Sequence, residues 1–141
     1  MKKHECIIGI GSNIEPEQNI AAALFFLRQE HELTSVSALI KTSPIGISEQ
    51  PDFLNGAAKI LTALELTEFQ SYLKDVEDRL KRDRTAPKFG PRTIDLDIVI
   101  WDGEIIDPDY YIRNFLRGVV DEIAKNPPCI PPFSKGDSVQ T

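Results

Sequence analysis

Apolar and polar positions alternate along some stretches of this chain and recur at helical spacing along others, and the two periods divide it into elements. Residues Glu5 to Gly11 form a mostly apolar run that predicts a buried strand. Ile14 to Gln18 turns polar around Pro16, and from Gln18 to Gln29 the residues Ile20, Ala21, Leu24 and Leu27 recur at helical spacing. Leu33 to Thr42 sets Val36, Ala38 and Ile40 against Ser35, Ser37, Leu39 and Lys41, which predicts a second strand. The segment SPIGISEQPD, with its two prolines and one glycine, reads as a loop, and Phe53 to Leu64 as a third strand. Thr67 to Arg82 predicts a helix that opens on Thr67 as its cap and places Phe69, Leu73, Val76 and Leu80 on one face. Asp95 to Trp101 alternates again as a fourth strand, Asp102-Gly103 turns the chain into a short hairpin through Ile105 and Ile106, and Asn114 to Lys125 predicts a third helix. From Asn126 the prolines of PPCIPP predict a tail without regular structure.

The order β-α-β-β-α-β predicts an α+β domain of ferredoxin-like arrangement, an antiparallel sheet covered on one side by two helices. That architecture carries many unrelated sites, so function has to be read from residues. At 141 residues and 41% hydrophobic content the chain suits a single domain over 1–141, with 126–141 as an irregular tail. Cys6 and Cys129 form neither a CxxC pair nor a metal-binding cluster, which points to a reducing, cytoplasmic setting. The N-terminus lacks the apolar length of a signal core, and no run is long enough for a membrane span. A formal net charge of −6 and the lack of a recognition motif argue against nucleic acid as a partner.

Chemistry concentrates in GPRTIDLDIVI, Gly90 to Ile100. Ile94, Leu96, Ile98 and Ile100 alternate with Asp95, Asp97, Val99 and Trp101, so both aspartates leave one face of the strand. Side chains two apart on a strand lie about 7 Å apart at their Cα atoms, close enough to share hard cations. Magnesium takes few carboxylates together with water and substrate phosphates, which suits such a pair. Taken alone, the pair reads equally as the solvated face of an ordinary strand. Just upstream stand Arg79, Lys81, Arg82, Arg84, Lys88 and Arg92 against the single acid Asp83, an island that an acidic protein's general surface does not explain. Guanidinium forks match phosphate oxygens, although Arg79 and Lys81 also fit the ordinary cations of a helix end.

These residues resemble a known family. GPRTIDLDIVI looks like the signature of the 6-hydroxymethyl-7,8-dihydropterin pyrophosphokinases of folate biosynthesis, and IGIGSN (Ile8 to Asn13), KTSPIG (Lys41 to Gly46), QPDFLN (Gln50 to Asn55) and Glu77 with Arg82 and Arg84 agree with it. IGIGSN is not a dinucleotide fingerprint, because Ile14 stands where GxGxxG needs its last glycine. The resemblance implies a magnesium-dependent transferase that moves diphosphate from ATP to the hydroxymethyl group of a reduced pterin and releases AMP. It implies that Asp95 and Asp97 bind two Mg2+ ions, that Arg82 and Arg92 pair with phosphate oxygens as catalytic groups, and that Arg84 and Glu77 lie at the nucleotide. Thr42, Ser43, Pro44 and Ile45 would wall the pterin pocket, Phe53 and Phe115 would stack on the ring, and Asn55 would read its polar edge. For both phenylalanines ordinary core packing is the alternative. The loop with Pro87, Lys88, Phe89 and Gly90 would close over the nucleotide and bring Arg82, Arg84 and Arg92 together. The implied partners are ATP and the pterin alone, bound by a monomer.

The resemblance weakens after the hairpin. Relatives carry a further short strand and a Pro-His segment there, whereas EIIDPDYYIRNF, Glu104 to Phe115, is shorter and has no histidine. Asp109 follows Pro108, Lys81 replaces a glycine, and Phe89 stands where some relatives have tryptophan. Tyr110 or Tyr111 would be the substitutes for a lost contact. A second expectation therefore stands beside the first: a divergent paralogue that binds a pterin or nucleotide with little turnover, or acts on another hydroxymethyl heterocycle.

Overall fold

The computed structural model of the protein describes residues 3–44, 46, 49–83, 85 and 90–124. In chain order these form β1 (His4–Ser12), α1 (Pro16–Glu30), β2 (Glu32–Val36), β3 (Ile40–Thr42), β4 (Phe53–Thr62), α2 (Leu66–Arg79), β5 (Asp95–Trp101), β6 (Glu104–Ile105), α3 (Asp109–Ile112) and α4 (Asn114–Ala124). The six strands make one sheet in the order β2-β4-β1-β5-β6, with β3 also on β4. Every pairing is antiparallel. The four long strands thus take the ferredoxin-like α+β order expected from the sequence. Among the described residues no helix is long and apolar enough to cross a membrane. Ile45, Arg84, the loop residues Pro87 to Phe89, and the tail lie outside the described residues.

The core follows from the two periods. Ile8 and Ile10 of β1, Ala58 and Ile60 of β4, and Leu96 and Ile98 of β5 face α1 and α2, which contribute Ile20, Ala23, Leu27, Phe69, Leu73 and Val76. α2 starts one residue before the expected cap. Glu65, extended at φ −77°, forms a capping box with Glu68, so Thr67 falls inside the first turn. The other face of the sheet is also covered: Val119, Val120 and Ile123 of α4 pack on Ile7, Ala57 and Val99. The sequence indicated helices on one face only.

Two strands depart from simple alternation. The run Leu33 to Thr42 divides into β2 and β3 because the Ser37 hydroxyl accepts the Ala57 N–H at 2.8 Å and itself donates to the Ala38 carbonyl at 2.8 Å, replacing part of the ladder with side-chain bonds. In β5, Ile98 pairs with Ile8 and Ile100 with Ile7, which leaves Val99 as a bulge. The bulge exchanges the faces beyond it. Trp101 joins the core beneath α1 and α2, and Ile100 packs with Val99 under α4, the reverse of the strict alternation.

Candidate active site

The site begins with two missing side chains. On β1 the positions facing α4 are Ile7, Gly9 and Gly11, and the sheet register sets Gly9 between Ala57 and Asp97 and Gly11 between Asn55 and Asp95. A methyl group at Gly11 would lie 3.0 Å from Asn55 Oδ1, and one at Gly9 would lie 3.0 Å from Leu116 Cδ1. Glycine leaves this row open. The result is a cleft of about 360 Å³ whose floor includes both glycines. One wall carries Thr42, Ser43, Phe53 and Asn55; the other carries Arg92, Asp95, Asp97, Asp107, Asp109 and Arg113; Phe115, Leu116 and Val119 close it from above. Asn55 Nδ2 donates to Thr42 Oγ1 at 2.5 Å, which fixes the amide beside the half-buried Phe53.

Asp95 is held from two sides. Arg82 Nη1 donates to Asp95 Oδ1 at 3.2 Å and to the Ile94 carbonyl at 3.1 Å, and Arg92 Nη1 donates to Asp95 Oδ2 at 3.1 Å. Behind the strand, Glu77 is 3% exposed. Its Oε2 accepts the Leu96 N–H at 2.7 Å and its Oε1 stands 3.3 Å from Arg82 Nη1. This carboxylate satisfies a strand-edge amide, since β6 pairs only with Ile100 and Trp101 and leaves the first half of β5 uncovered on that side.

Among the described residues, acids outnumber bases on the cleft wall, four aspartates against Arg92 and Arg113. Asp97 retains surface toward the cleft but is crowded by protein elsewhere. Its carboxyl is pushed up to about 7, first by burial and then by the charges of Asp95, Glu77 and Asp107 and a hydrogen bond with Asp95. Burial, with Asp109 and Asp95 nearby, also raises Asp107. Among the described residues no three His, Cys, Asp or Glu side chains converge as a metal site by themselves.

The sequence-predicted residues Thr42, Ser43, Phe53, Asn55, Arg92, Asp95, Asp97 and Phe115 meet in this one cleft. Arg82 stands just behind the wall and reaches it through Asp95. Pro44 is half-buried beside the cleft without lining it, and Glu77 lies beneath the strand, away from the cleft wall. Ile45 and Arg84 are outside the described residues. Sequence reasoning passed over Gly9 and Gly11 as parts of a motif, and missed Asp107 and Arg113 as wall residues. The sign of the latter was Asp-Pro-Asp: Asp107 Oδ1 accepts the Asp109 N–H at 2.9 Å and opens the short helix α3, which turns both acids inward. Tyr110 hydroxyl donates to Asp121 Oδ1 at 2.7 Å and ties α3 to α4, while Tyr111 is 65% exposed. Neither tyrosine lines the cleft.

Fold and cleft together define a small α+β domain with an acid-and-arginine wall facing an aromatic one, suited to a phosphate-bearing ligand beside a flat ring. Residues 7–125 match the family model of 7,8-dihydro-6-hydroxymethylpterin-pyrophosphokinase. Three proteins named 2-amino-4-hydroxy-6-hydroxymethyldihydropteridine pyrophosphokinase are similar to it. That of Bacillus subtilis is 34% identical over 84% of this chain and 77% of its own length. Those of Haemophilus influenzae and Pseudomonas aeruginosa are 36% and 37% identical, over 76% and 75% of this chain and 72% and 70% of theirs. The chain belongs to the 7,8-dihydro-6-hydroxymethylpterin-pyrophosphokinase family.

Proposed function

We propose that this chain transfers the diphosphate of ATP to the hydroxymethyl group of 6-hydroxymethyl-7,8-dihydropterin and releases AMP. The observation that carries the proposal is the meeting of Asp95 and Asp97 with Phe53, Asn55 and Phe115 in one cleft. The pterin lies between the two phenyl rings with its polar edge at Asn55 and Thr42. Its hydroxymethyl oxygen releases its proton to solvent and bonds to the β-phosphorus as the bond from that phosphorus to the bridging oxygen breaks, the oxygen leaving with AMP. No protein nucleophile is required, because such transfer depends on positioning and electrostatics. Asp95 and Asp97 fit as ligands for Mg2+: two carboxylates on one cleft wall, crowded by further acids, would suit a hard cation that takes few carboxylates together with phosphate and water. Bound there with ATP, magnesium supplies neutralisation of phosphate charge. Arg82 and Arg92 leave Asp95 and turn to phosphate oxygens, with Arg84 assisting. The protein acts as a monomer on small molecules, in the reducing cytoplasmic setting that Cys6 and Cys129, which form neither a CxxC pair nor a metal-binding cluster, point to.

One observation favours the second reading, a binding protein with little turnover or an enzyme for another hydroxymethyl heterocycle. Asp107 and Asp109 share the wall with Asp95 and Asp97 and oppose a polyphosphate unless cations intervene. Incubation with ATP, magnesium and the reduced pterin separates the two. Pterin-dependent AMP that disappears in Asp97→Ala supports transfer; tight binding of both ligands without AMP supports the second reading; binding of neither refutes both.

A further inference from the structure

Asn13 follows β1 directly, is 3% exposed and is not part of the cleft wall. Its Oδ1 accepts the Arg92 N–H at 2.8 Å and its own N–H donates to the Arg92 carbonyl at 3.1 Å. Its Nδ2 donates to Gln50 Oε1 at 2.8 Å and to the Pro51 carbonyl at 3.0 Å. The partners fix which way the amide points, because a backbone N–H only donates and a carbonyl only accepts. One buried side chain therefore joins two segments remote in sequence. Residues 50–51 lead directly into Phe53 and Asn55; Arg92 leads into Asp95 and holds it.

The strand register already fixes the floor between these walls, but the approaches to them are loops. Pro51 and Asp52 are exposed, and the Asn13 amide ties that segment to the domain through Gln50 and Pro51. A buried polar group with its donors and acceptor all occupied passes displacement more rigidly than a solvated contact does. We infer that Asn13 is a positioning residue that couples the two walls: ordering of Arg92 by a phosphate-bearing ligand is carried through the Asn13 amide to residues 50–51 and the ring-binding wall, and the reverse. The inference rests on the two-substrate reading above. Coupling of this kind is reciprocal, each ligand raising the affinity of the other by one factor.

The experiment measures by calorimetry the affinity of a non-hydrolysable ATP analogue with magnesium, and of the reduced pterin, each alone and in the presence of the other. Asn13→Ala lowers the mutual enhancement about tenfold, equivalent to about 1.4 kcal/mol, and by more than it lowers either single affinity. Gln50→Leu removes one partner without touching Asn13 and lowers the enhancement in the same direction. Enhancement equal to that of the unaltered protein in both variants overturns the inference. Amide hydrogen exchange on the ligand-free protein reads the same tie without substrates. Gln50→Leu speeds exchange at the Arg92 N–H, whose own hydrogen bond it leaves in place, and unchanged exchange there overturns the coupling. If the unaltered protein binds neither ligand, the proposed function fails on that result, while the exchange experiment still decides whether Asn13 links the loops.

Discussion

Glu77 offers the sharpest test of how the carboxylate strand is held. Replacing it by leucine removes, among its contacts, the acceptor of the Leu96 N–H at 2.7 Å and the anion 3.3 Å from Arg82. A buried N–H without a partner costs about 1–3 kcal/mol. Arg82 keeps Asp95 and the Ile94 carbonyl, so its share falls well below the roughly 3–5 kcal/mol of a buried pair broken outright. Together these give a loss of about 3 kcal/mol. Glutamine retains a carbonyl for Leu96 and exchanges a charged acceptor for a neutral one, a loss of about 1 kcal/mol. With a urea m-value of about 1.5 kcal/mol/M, the midpoints fall by about 2 M for Glu77→Leu and about 0.7 M for Glu77→Gln. A leucine variant within about 0.5 kcal/mol of the unaltered protein would falsify the assignment of Glu77 as the brace of β5. The glutamine variant carries a second expectation. Glu77 is among the charges that raise Asp97, so its removal shifts the Asp97 titration downward, read from the side-chain carboxyl carbon by NMR.

Gly11→Ala sets a methyl group 3.0 Å from Asn55 Oδ1 and weakens pterin binding about tenfold, about 1.4 kcal/mol, with binding of the ATP analogue little changed; equal loss for both ligands refutes the role of the open glycine row. Asp97, raised to about 7, pays in stability for being ionised, so Asp97→Asn raises the thermal midpoint of the ligand-free protein at pH 8, and the gain disappears as pH falls below the carboxyl's unfolded value; no gain at pH 8 contradicts the charge crowding described. The two histidines titrate in opposite directions from 6.5. His4 is raised, chiefly by its hydrogen bond to Asp102 and then Glu65, against the effect of burial. The stability it adds is full below the unfolded value and is lost as pH rises through the folded one. His31 is lowered by burial against Phe69 and Tyr72, and its contribution is lost as pH falls through its folded value. Imidazole resonances that titrate together, or that ignore Asp102→Asn, contradict this assignment.

Much of the architecture was visible in the sequence because hydrophobic period and turn chemistry are local. β1, β4, β5 and both main helices of the first layer appear within a few residues of their predicted limits. What escaped depends on contacts between remote residues. Nothing near Val99 marks it as a bulge, since the extra residue is defined against Ile7 and Ile8. The break at Ser37 is settled by Ala57 across the sheet. α4 shows an apolar face, but its seat on Ile7, Ala57 and Val99 follows from a sheet whose second face also needed cover. At the cleft, Asp95 and Asp97 stood out as a pair, whereas Asp107 and Arg113 enter at the two ends of a helix too brief for any periodic signal.

The ligand-free arrangement also explains why the same residues support a stable fold and a binding site. Asp95 accepts from both Arg82 and Arg92, with Glu77 a second anion beside Arg82, and without Asp95 the two guanidinium groups would lose the carboxylate they share beside β5. Asp97 has burial and three neighbouring acids against it, so the pair is asymmetric: one carboxylate is committed to arginines, the other is kept at the edge of protonation. On the proposed reading, a polyphosphate brought in with divalent cations would relieve both constraints together. It would offer the arginines new oxygens as Asp95 is released, and the cations would meet the charge that Asp97 carries at a cost when alone. On that reading, the surplus of acids among the described wall residues would accept an anionic substrate only in the company of metal. It follows that the ATP analogue binds weakly in the presence of a chelator and that Asp107→Asn narrows the difference made by magnesium; calorimetry showing equal affinity with and without the metal would contradict this account of the cleft.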